Sequence, residues 1–378
     1  MRKLIVLMGL VLVVASCQEN PSFSELEDAT LANRMTEEEE AAFLLSSSKF
    51  EPAYRKAVDR LNETRTQLTK GVEVERLKSA DGMLVIQSAE EFRPIYDQVV
   101  KADTVWKNQY EAEIDALVKL VKADDKLAAG FEEEDEISWA IEDLLEADRV
   151  GYEDVMQNVS DRMPISTLWG QVKRDSDEWL ASQEGVETPN WEQYPEEKYG
   201  IEPYSQLFVN NALTVNIQDT VREVEAIVSV GKGDEQLEGR VLGANGCRTF
   251  RMRRAFGDNG TQNGATRLRV RCYVNNFWIW KSYGVSCKGW IRRRGRWKAR
   301  RYEKVLTQGG TIISHTASLQ DPCDPVFAIT VGWTKVRRHR SFSINRTLWG
   351  PDVYLGVCRQ GFAGVVSGRG VAVGVVMD

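Results

Sequence analysis

Residues 267–274 read Arg-Leu-Arg-Val-Arg-Cys-Tyr-Val. Successive side chains of a β-strand point to opposite faces, so the apolar residues fall on one face and the arginines on the other. A strand of this kind belongs to an antiparallel sheet that covers a core on one side. We predict a turn at Asn275 and Asn276, after which residues 277–280 lead a returning strand.

Period-two alternation and turn signals continue on both sides of this segment. They predict an antiparallel domain, a sandwich or a barrel, over residues 205–378. Further strands are expected at 327–333, 341–344 and 353–357, and hairpin turns at 258–260 and 293–296. A hairpin of 213–217 with 221–230 is expected to begin the domain.

The closing run, residues 364–376, is apolar apart from Arg369. An exposed sheet edge of this composition would aggregate. We therefore expect the run to be covered.

The N-terminal half has the period of helices. Residues 36–39 and 88–91 both fit a capping box, in which a hydroxyl and a carboxylate bind the free amides of the first turn. Apolar residues then recur at helical spacing, as in residues 92–100. The predicted fold class is α+β, with a helical region at 36–184, a linker at 185–204 and the β-rich C-terminal domain.

Charge is also divided unequally along the chain. Residues 241–378 hold 24 Lys and Arg against 6 Asp and Glu, a net charge of +18, whereas the whole chain carries −7. Of those 24 basic residues 19 are Arg, whose planar guanidinium suits bidentate contacts with anions. An acidic helical half therefore precedes a basic sheet half.

The first residues have the order of an export signal. Two basic residues precede an apolar run, small residues follow, and Cys17 closes the segment. The run is too short for a membrane-spanning helix. Cysteine at the cleavage point resembles the lipobox of bacterial lipoproteins, which implies a signal peptide at 1–16, a lipidated Cys17 and a tether over 17–35. Asp at the second position of the mature chain resembles a signal for retention in the inner membrane. This chain has Gln18 at that position, which favours the outer membrane, in either leaflet.

Three patches resemble a group of lipoproteins from gut Bacteroidota, which are members of domain-of-unknown-function families. The patches are residues 81–92 followed by Trp106, residues 213–221, and the Trp- and Arg-rich region 277–297. The resemblance implies a bacterial host and an envelope location. It implies no catalytic residue.

The hairpin around residues 290–301 interleaves basic and aromatic side chains. Guanidinium groups bind phosphate or sulfate, and indoles stack on sugar or base faces. The candidate contact residues are Trp290, Arg292, Arg293, Arg294, Arg296, Trp297, Arg300, Arg337, Arg338 and Arg340. An anionic glycan, lipopolysaccharide phosphates and nucleic acid all suit this chemistry, and nucleic acid is the partner we expect least.

Two other interpretations of the basic hairpin stay open. It could dock on the chain's own carboxylates, such as those at residues 131–136, or its arginines could form a solvated face. We expect an exported, membrane-anchored protein with a non-catalytic binding or structural role. The alternatives are a glycan-acting hydrolase, which needs two converging carboxylates, and a scaffold in which the basic domain docks on the acidic helices.

Sequence motifs for catalysis and for cofactors are absent. The chain has no Gly-x-Ser-x-Gly elbow, no His-Glu-x-x-His and no P-loop, and we expect neither a cofactor nor a metal site. The cysteines beyond Cys17 permit at most two disulfides, with the pairing open. These are Cys247, Cys272, Cys287, Cys323 and Cys358. His315 near Cys323 is more simply a hydrogen-bonded side chain than half of a catalytic pair.

Overall fold

Helices make up most of the N-terminal half. The computed structural model describes residues 35–197, 201–223, 227–230, 241–242, 247–249, 252–260, 265–277, 279–316, 327–350 and 353–377. The helices are α1 (Glu37–Leu45), α2 (Phe50–Lys70), α3 (Ala89–Lys122), α4 (Asp125–Ala128), α5 (Glu134–Ala147), α6 (Asp154–Arg162), α7 (Leu168–Ser182) and α8 (Pro203–Gln206). Within all the residues that the structure describes, no helix combines the length and apolarity needed to cross a membrane.

The helices begin where their capping residues predict. At α1 the Thr36 hydroxyl accepts the N–H of Glu39, and the Glu39 carboxylate accepts the N–H of Thr36. At α3 the Ser88 hydroxyl accepts the N–H of Glu91. Each cap satisfies amides that have no partner within the helix. The apolar faces of these helices then pack into one core, which includes Trp106, Tyr110 and Ile114 of α3.

A small sheet belongs to the helical half. Its strands, in spatial order, are β1 (Lys78–Ala80), β2 (Met83–Ile86), β3 (Thr214–Ile217) and β4 (Thr220–Glu223). The hairpin of β3 and β4 was expected to begin the β-rich domain, and this was wrong. It pairs in parallel with β2, because Val215 and Ile217 bury their side chains in the helical core.

The remaining strands form two sheets. They are β5 (Ile227–Val230), β6 (Val241–Leu242), β7 (Cys247–Thr249), β8 (Met252–Gly260), β9 (Thr266–Phe277), β10 (Trp280–Arg293), β11 (Arg296–Ala299), β12 (Lys304–Thr316), β13 (Phe327–Arg337), β14 (Ser341–Trp349), β15 (Val353–Gly368) and β16 (Val371–Met377). One sheet has the order β11-β10-β9-β8-β5, with β14 also on β10; the other has the order β13-β12-β15-β7-β6, with β16 on β15.

The two sheets form a sandwich-like pair around a shared core. Leu268, Val270 and Cys272 of β9 face Phe362 and Val366 of β15 in that core. The described strands do not close into a barrel. The predicted α+β class, a helical region followed by antiparallel sheets, is confirmed.

Three turn predictions have different outcomes. The turn at 293–296 is confirmed, because Arg294 and Gly295 have positive φ angles between the paired residues Arg293 and Arg296. The turn at Asn275–Asn276 is wrong, since β9 runs on to Phe277. Buried Asn275 accepts the backbone N–H of Glu202 there, and this tertiary hydrogen bond outweighs the local turn preference.

The predicted turn at Asp258–Gly260 is also wrong. These residues lie in β8, and their ladder with β9 extends to Gly260 opposite Arg267. Continued pairing with β9 outweighs the turn preference of the Asp-Asn-Gly sequence.

The closing apolar run is covered on one face. Val366, Val371 and Val375 are buried, while Val365 and Val376 are 48% and 60% exposed. The hairpin of β15 and β16 explains this division: the two strands pair around Arg369 and Gly370, so alternate residues leave the core.

Candidate functional site

The two tryptophans of the basic hairpin are buried. Trp290 and Trp297 are 0% and 5% exposed and pack with Trp191 and Tyr194 from the segment that sequence analysis treats as a linker. Trp191 lies 4.9 Å from Trp290 and 5.3 Å from Trp297 between ring centroids. The indoles therefore hold the segment 185–197 against the sheet, and their faces are not available to an external ligand.

The arginines at the hairpin tip contact α1. Arg293 and Arg294 both pair with Glu40, a buried carboxylate, and Arg294 also donates to the carbonyl oxygen of Met35. Arg296 is half exposed and lies 2.7 Å from Glu184. Arg292 has no carboxylate within 4 Å among the described residues. Apart from Arg292, the tip is thus occupied by the chain's own acidic groups.

Arg300 and Arg301 pair with helices α5 and α3. Arg300 makes two hydrogen bonds of 2.8 Å to Asp143. Burial opposes ionisation of Asp143, but the charge and hydrogen bonds of Arg300, together with a neighbouring lysine, hold the pKa of that carboxyl below its ordinary value. Arg301 lies 2.6 Å from Asp115 and 2.7 Å from Glu111. These contacts join the two halves, and the Arg300–Asp143 contact is a largely buried ion pair.

The cluster at residues 337–340 divides between two environments. Arg338 lies 2.6 Å from Glu134, and Arg340 lies 2.6 Å from Glu142, so both face the acidic helix α5. Arg337 is exposed and has no carboxylate within 4 Å in the described ranges. Arg338 and Arg340 therefore form ion pairs with the helical half, whereas Arg337 does not.

A groove runs between the edge strands β13 and β14 of the two sheets. Its volume is about 390 Å³, and its lining includes Trp333, Lys335, Arg337 and Arg346. Trp333 is 55% exposed, and the Arg346 guanidinium lies 5.7 Å from its ring centroid. Within the described part of the chain, none of these three cations has a carboxylate within 4 Å.

Residues of the groove alternate along β13. Val331, Trp333, Lys335 and Arg337 are spaced by two and so share one strand face. Burial, and after it the charge of Arg337, lowers the pKa of Lys335. The Lys335 ammonium donates to the carbonyl oxygen of Ser343 at 3.2 Å, which holds it across the groove. Among Trp333, Lys335, Arg337 and Arg346, the sequence predicted only Arg337 as a contact residue, although basic and aromatic side chains alternate along β13.

A cavity of about 310 Å³ adjoins the groove, between helices α3, α6 and α7 and the strands β9, β10, β13 and β14. Asp103, Glu153 and Glu196 of its lining each pair with a cation. Glu196 contacts Lys288 and Arg271, and although burial opposes ionisation, these two charges lower the pKa of Glu196. Asp103 lies 2.7 Å from Lys107. The lining therefore carries local ion pairs on its helical side.

His339 also lines this cavity. Burial, followed by the charges of Lys107, Arg337 and Lys335, lowers its pKa to about 3. His339 is therefore neutral at physiological pH. Within the described ranges, no group of three His, Cys, Asp or Glu side chains is arranged to hold a metal ion.

Several residues that the sequence analysis singled out are not described. Cys17 and Cys323 lie outside the described residues, as do the side chains of Cys247, Cys358 and His315. Cys272 and Cys287 are described, and both are buried free thiols. Burial raises the pKa of Cys287 to about 11.

Comparisons with known proteins give one weak similarity. No protein-family model matches the chain, and no curated protein matches it. Among solved structures, the chain is similar to a DUF4848 family protein from Bacteroides thetaiotaomicron, with 11% sequence identity and a TM-score of 0.17. The similarity covers 80% of this chain and 100% of that one.

Proposed function

We propose that this chain is an exported, lipid-anchored envelope protein that binds an anionic glycan in the groove between β13 and β14. One observation carries the proposed binding site. The three groove cations have no carboxylate partner among the described residues, whereas most of the hairpin arginines, such as Arg293 and Arg300, pair with the chain's own acidic groups.

The chemistry of the groove matches a charged sugar chain. Lys335, Arg337 and Arg346 supply positive charge for sulfate, carboxylate or phosphate groups. Trp333 supplies a partly exposed aromatic face beside them, on which a sugar ring can stack. The groove replaces the basic hairpin as the proposed binding site, because the hairpin tryptophans are buried.

The hydrolase hypothesis receives less support. A glycosidase needs a carboxyl group that keeps its proton near neutral pH, opposite a second carboxylate. In the cavity, Lys288 and Arg271 keep Glu196 ionised. Burial opposes ionisation of Glu153, but the charges of Lys173 and Lys288 together lower its pKa. Burial raises the pKa of Glu202, but its carboxylate accepts the backbone N–H groups of residues 204 and 205 as the cap of α8.

The location rests on Cys17 and on its likeness to a lipobox. We expect the full chain to partition into the membrane fraction and to incorporate labelled palmitate. Cys17→Ala should move it to the soluble fraction, because the acyl chains hold it at the bilayer. Membrane partition that survives this substitution would contradict the lipid anchor and leave glycan binding to be judged by its own experiment.

Binding is tested with the soluble protein begun at Glu19. Retention on heparin and on lipopolysaccharide is measured over a salt series, since charge-driven binding weakens with ionic strength. We expect Arg337→Ser/Arg346→Ser to lose retention at lower salt than the parent protein. The matched control is Arg292→Ser/Arg296→Ser, which removes the same charge from the hairpin and should bind as the parent does.

The two double variants separate the candidate sites. Loss of retention in the hairpin variant, with the groove variant unchanged, would return the site to the hairpin. No retention by the parent protein at low salt would refute glycan binding altogether. Circular dichroism spectra of all variants are compared with the parent protein to check that each is folded.

A further inference from the structure

The groove and the adjoining cavity meet along a common wall. Lys335, Arg337, Ser343 and Asn345 line both of them. One side of this wall is the open groove with the exposed Trp333, and the other is the cavity beneath α3 and α7. Lys335 and Arg337 can therefore contact a ligand on either side.

The cavity cations that lack a carboxylate partner among the described residues lie at this wall. On the helical side, Asp103 pairs with Lys107, and Glu153 lies 3.5 Å from Lys173. Lys335 and Arg337 have no carboxylate within 4 Å in the described part of the chain. An anionic group placed at the wall would be the counter-ion that these two side chains lack.

The rest of the lining is suited to a small polar ring. The Ser286 hydroxyl is buried without a hydrogen-bond partner among the described residues, and Met156, Trp169 and Phe342 provide apolar surface. A buried hydroxyl without a partner costs free energy that a ligand hydroxyl can recover. At about 310 Å³ the cavity is near the lower limit of ligand pockets, so it has room for the end of a chain rather than for a chain that passes through.

We propose that the cavity takes the terminal sugar of the anionic glycan, with its charged group at Lys335 and Arg337 and the following sugars in the groove over Trp333. The protein then recognises a chain end and not an internal segment. This inference rests on the proposed function, since it specifies which part of the glycan binds there.

The number of protein molecules bound per glycan chain tests this inference. Heparin chains of defined short and long length are titrated with the soluble protein, and the stoichiometry is measured by calorimetry and sedimentation. Recognition of one end gives one protein per chain at both lengths. Several proteins on each long chain would overturn end recognition while leaving glycan binding intact, and no binding to either length would overturn both.

A variant at the cavity rim tests whether the end lies in this cavity. Thr104 is exposed on α3 and lines the cavity, so Thr104→Trp should obstruct it and weaken binding of the short chain at least tenfold. The control is Val105→Trp, because Val105 is 40% exposed on the same helix and does not line the cavity. Unchanged binding by Thr104→Trp would place the chain end elsewhere.

Discussion

Trp139 of α5 donates its indole N–H to the backbone carbonyl oxygen of Arg301, 2.8 Å away. Trp139 is 4% exposed and belongs to the core between the two sheets, although its helix belongs to the acidic half. The contact joins residues 162 positions apart in the sequence. We infer that the helical region and the sheets stabilise one another through this side chain.

Substitution of Trp139 is therefore expected to destabilise the whole protein. Trp139→Ala should lower the free energy of unfolding by about 3–5 kcal/mol, the usual cost of removing a buried aromatic side chain. Trp139→Phe should cost less, since it keeps a ring but leaves the Arg301 carbonyl without its donor. Urea denaturation measures both. The control, Trp333→Phe, changes an exposed indole and should stay within about 0.5 kcal/mol of the parent.

Glu40 is the second site at which stability depends on the contact between the halves. It is 4% exposed and neutralises both Arg293 and Arg294. Glu40→Gln would leave two mostly buried guanidinium groups without a counter-ion, at an expected cost of about 3–5 kcal/mol. Glu38→Gln removes an exposed charge from the same helix and should have little effect. Equal unfolding midpoints for the two variants would contradict this role of Glu40.

Local patterns predicted the elements whose determinants lie close together in the sequence. The capping residues Thr36 and Ser88 begin their helices, and the alternation of 267–274 is strand β9. The Arg294–Gly295 turn also follows from its own residues, because both adopt the left-handed conformation. None of these features depends on a distant partner.

Features that depend on distant partners could not be predicted. Asn275 stays in a strand because Glu202 donates to it, and β3 joins β2 across more than a hundred residues. The groove arises where the edge strands of two different sheets meet, which the spacing of Trp333 and Lys335 does not reveal. The aromatic hairpin was chosen as a site from composition, which does not show that residues 185–197 cover its tryptophans.

Glu111 should make stability depend on pH near neutrality. Burial raises its pKa to about 7, although the Arg301 charge opposes this, and neither carboxylate oxygen has a hydrogen bond in the described part of the chain. The folded state therefore keeps the proton at pH values where the unfolded carboxyl has lost it. Because the folded state binds more protons, its stability falls as the pH rises from about 4.5 to about 7.

Glu111→Gln isolates this contribution. As the pH rises through this window, the free energy of unfolding of the variant should increase relative to that of the parent protein. The total relative increase should be roughly 1.4 kcal/mol for each pH unit that separates the folded and unfolded pKa values of Glu111. Urea denaturation at a series of pH values measures it. Glu113→Gln is a control from the same helix, since Glu113 pairs with the half-exposed Arg60. If the free energies of unfolding of Glu111→Gln and the parent protein differ by the same amount at every pH, Glu111 is not a buried, protonated carboxyl.

Cys272 and Cys287 are expected to resist thiol reagents while the protein is folded. Both thiols are buried, and burial raises the pKa of Cys287 to about 11, so little reactive thiolate is present at pH 8. Iodoacetamide should leave the peptides that contain them unmodified in buffer and alkylate both in denaturant, as read by mass spectrometry. The denatured sample is the control for reagent activity. Rapid alkylation of Cys287 in the folded protein, without unfolding, would contradict the buried position that this side chain occupies beside the cavity.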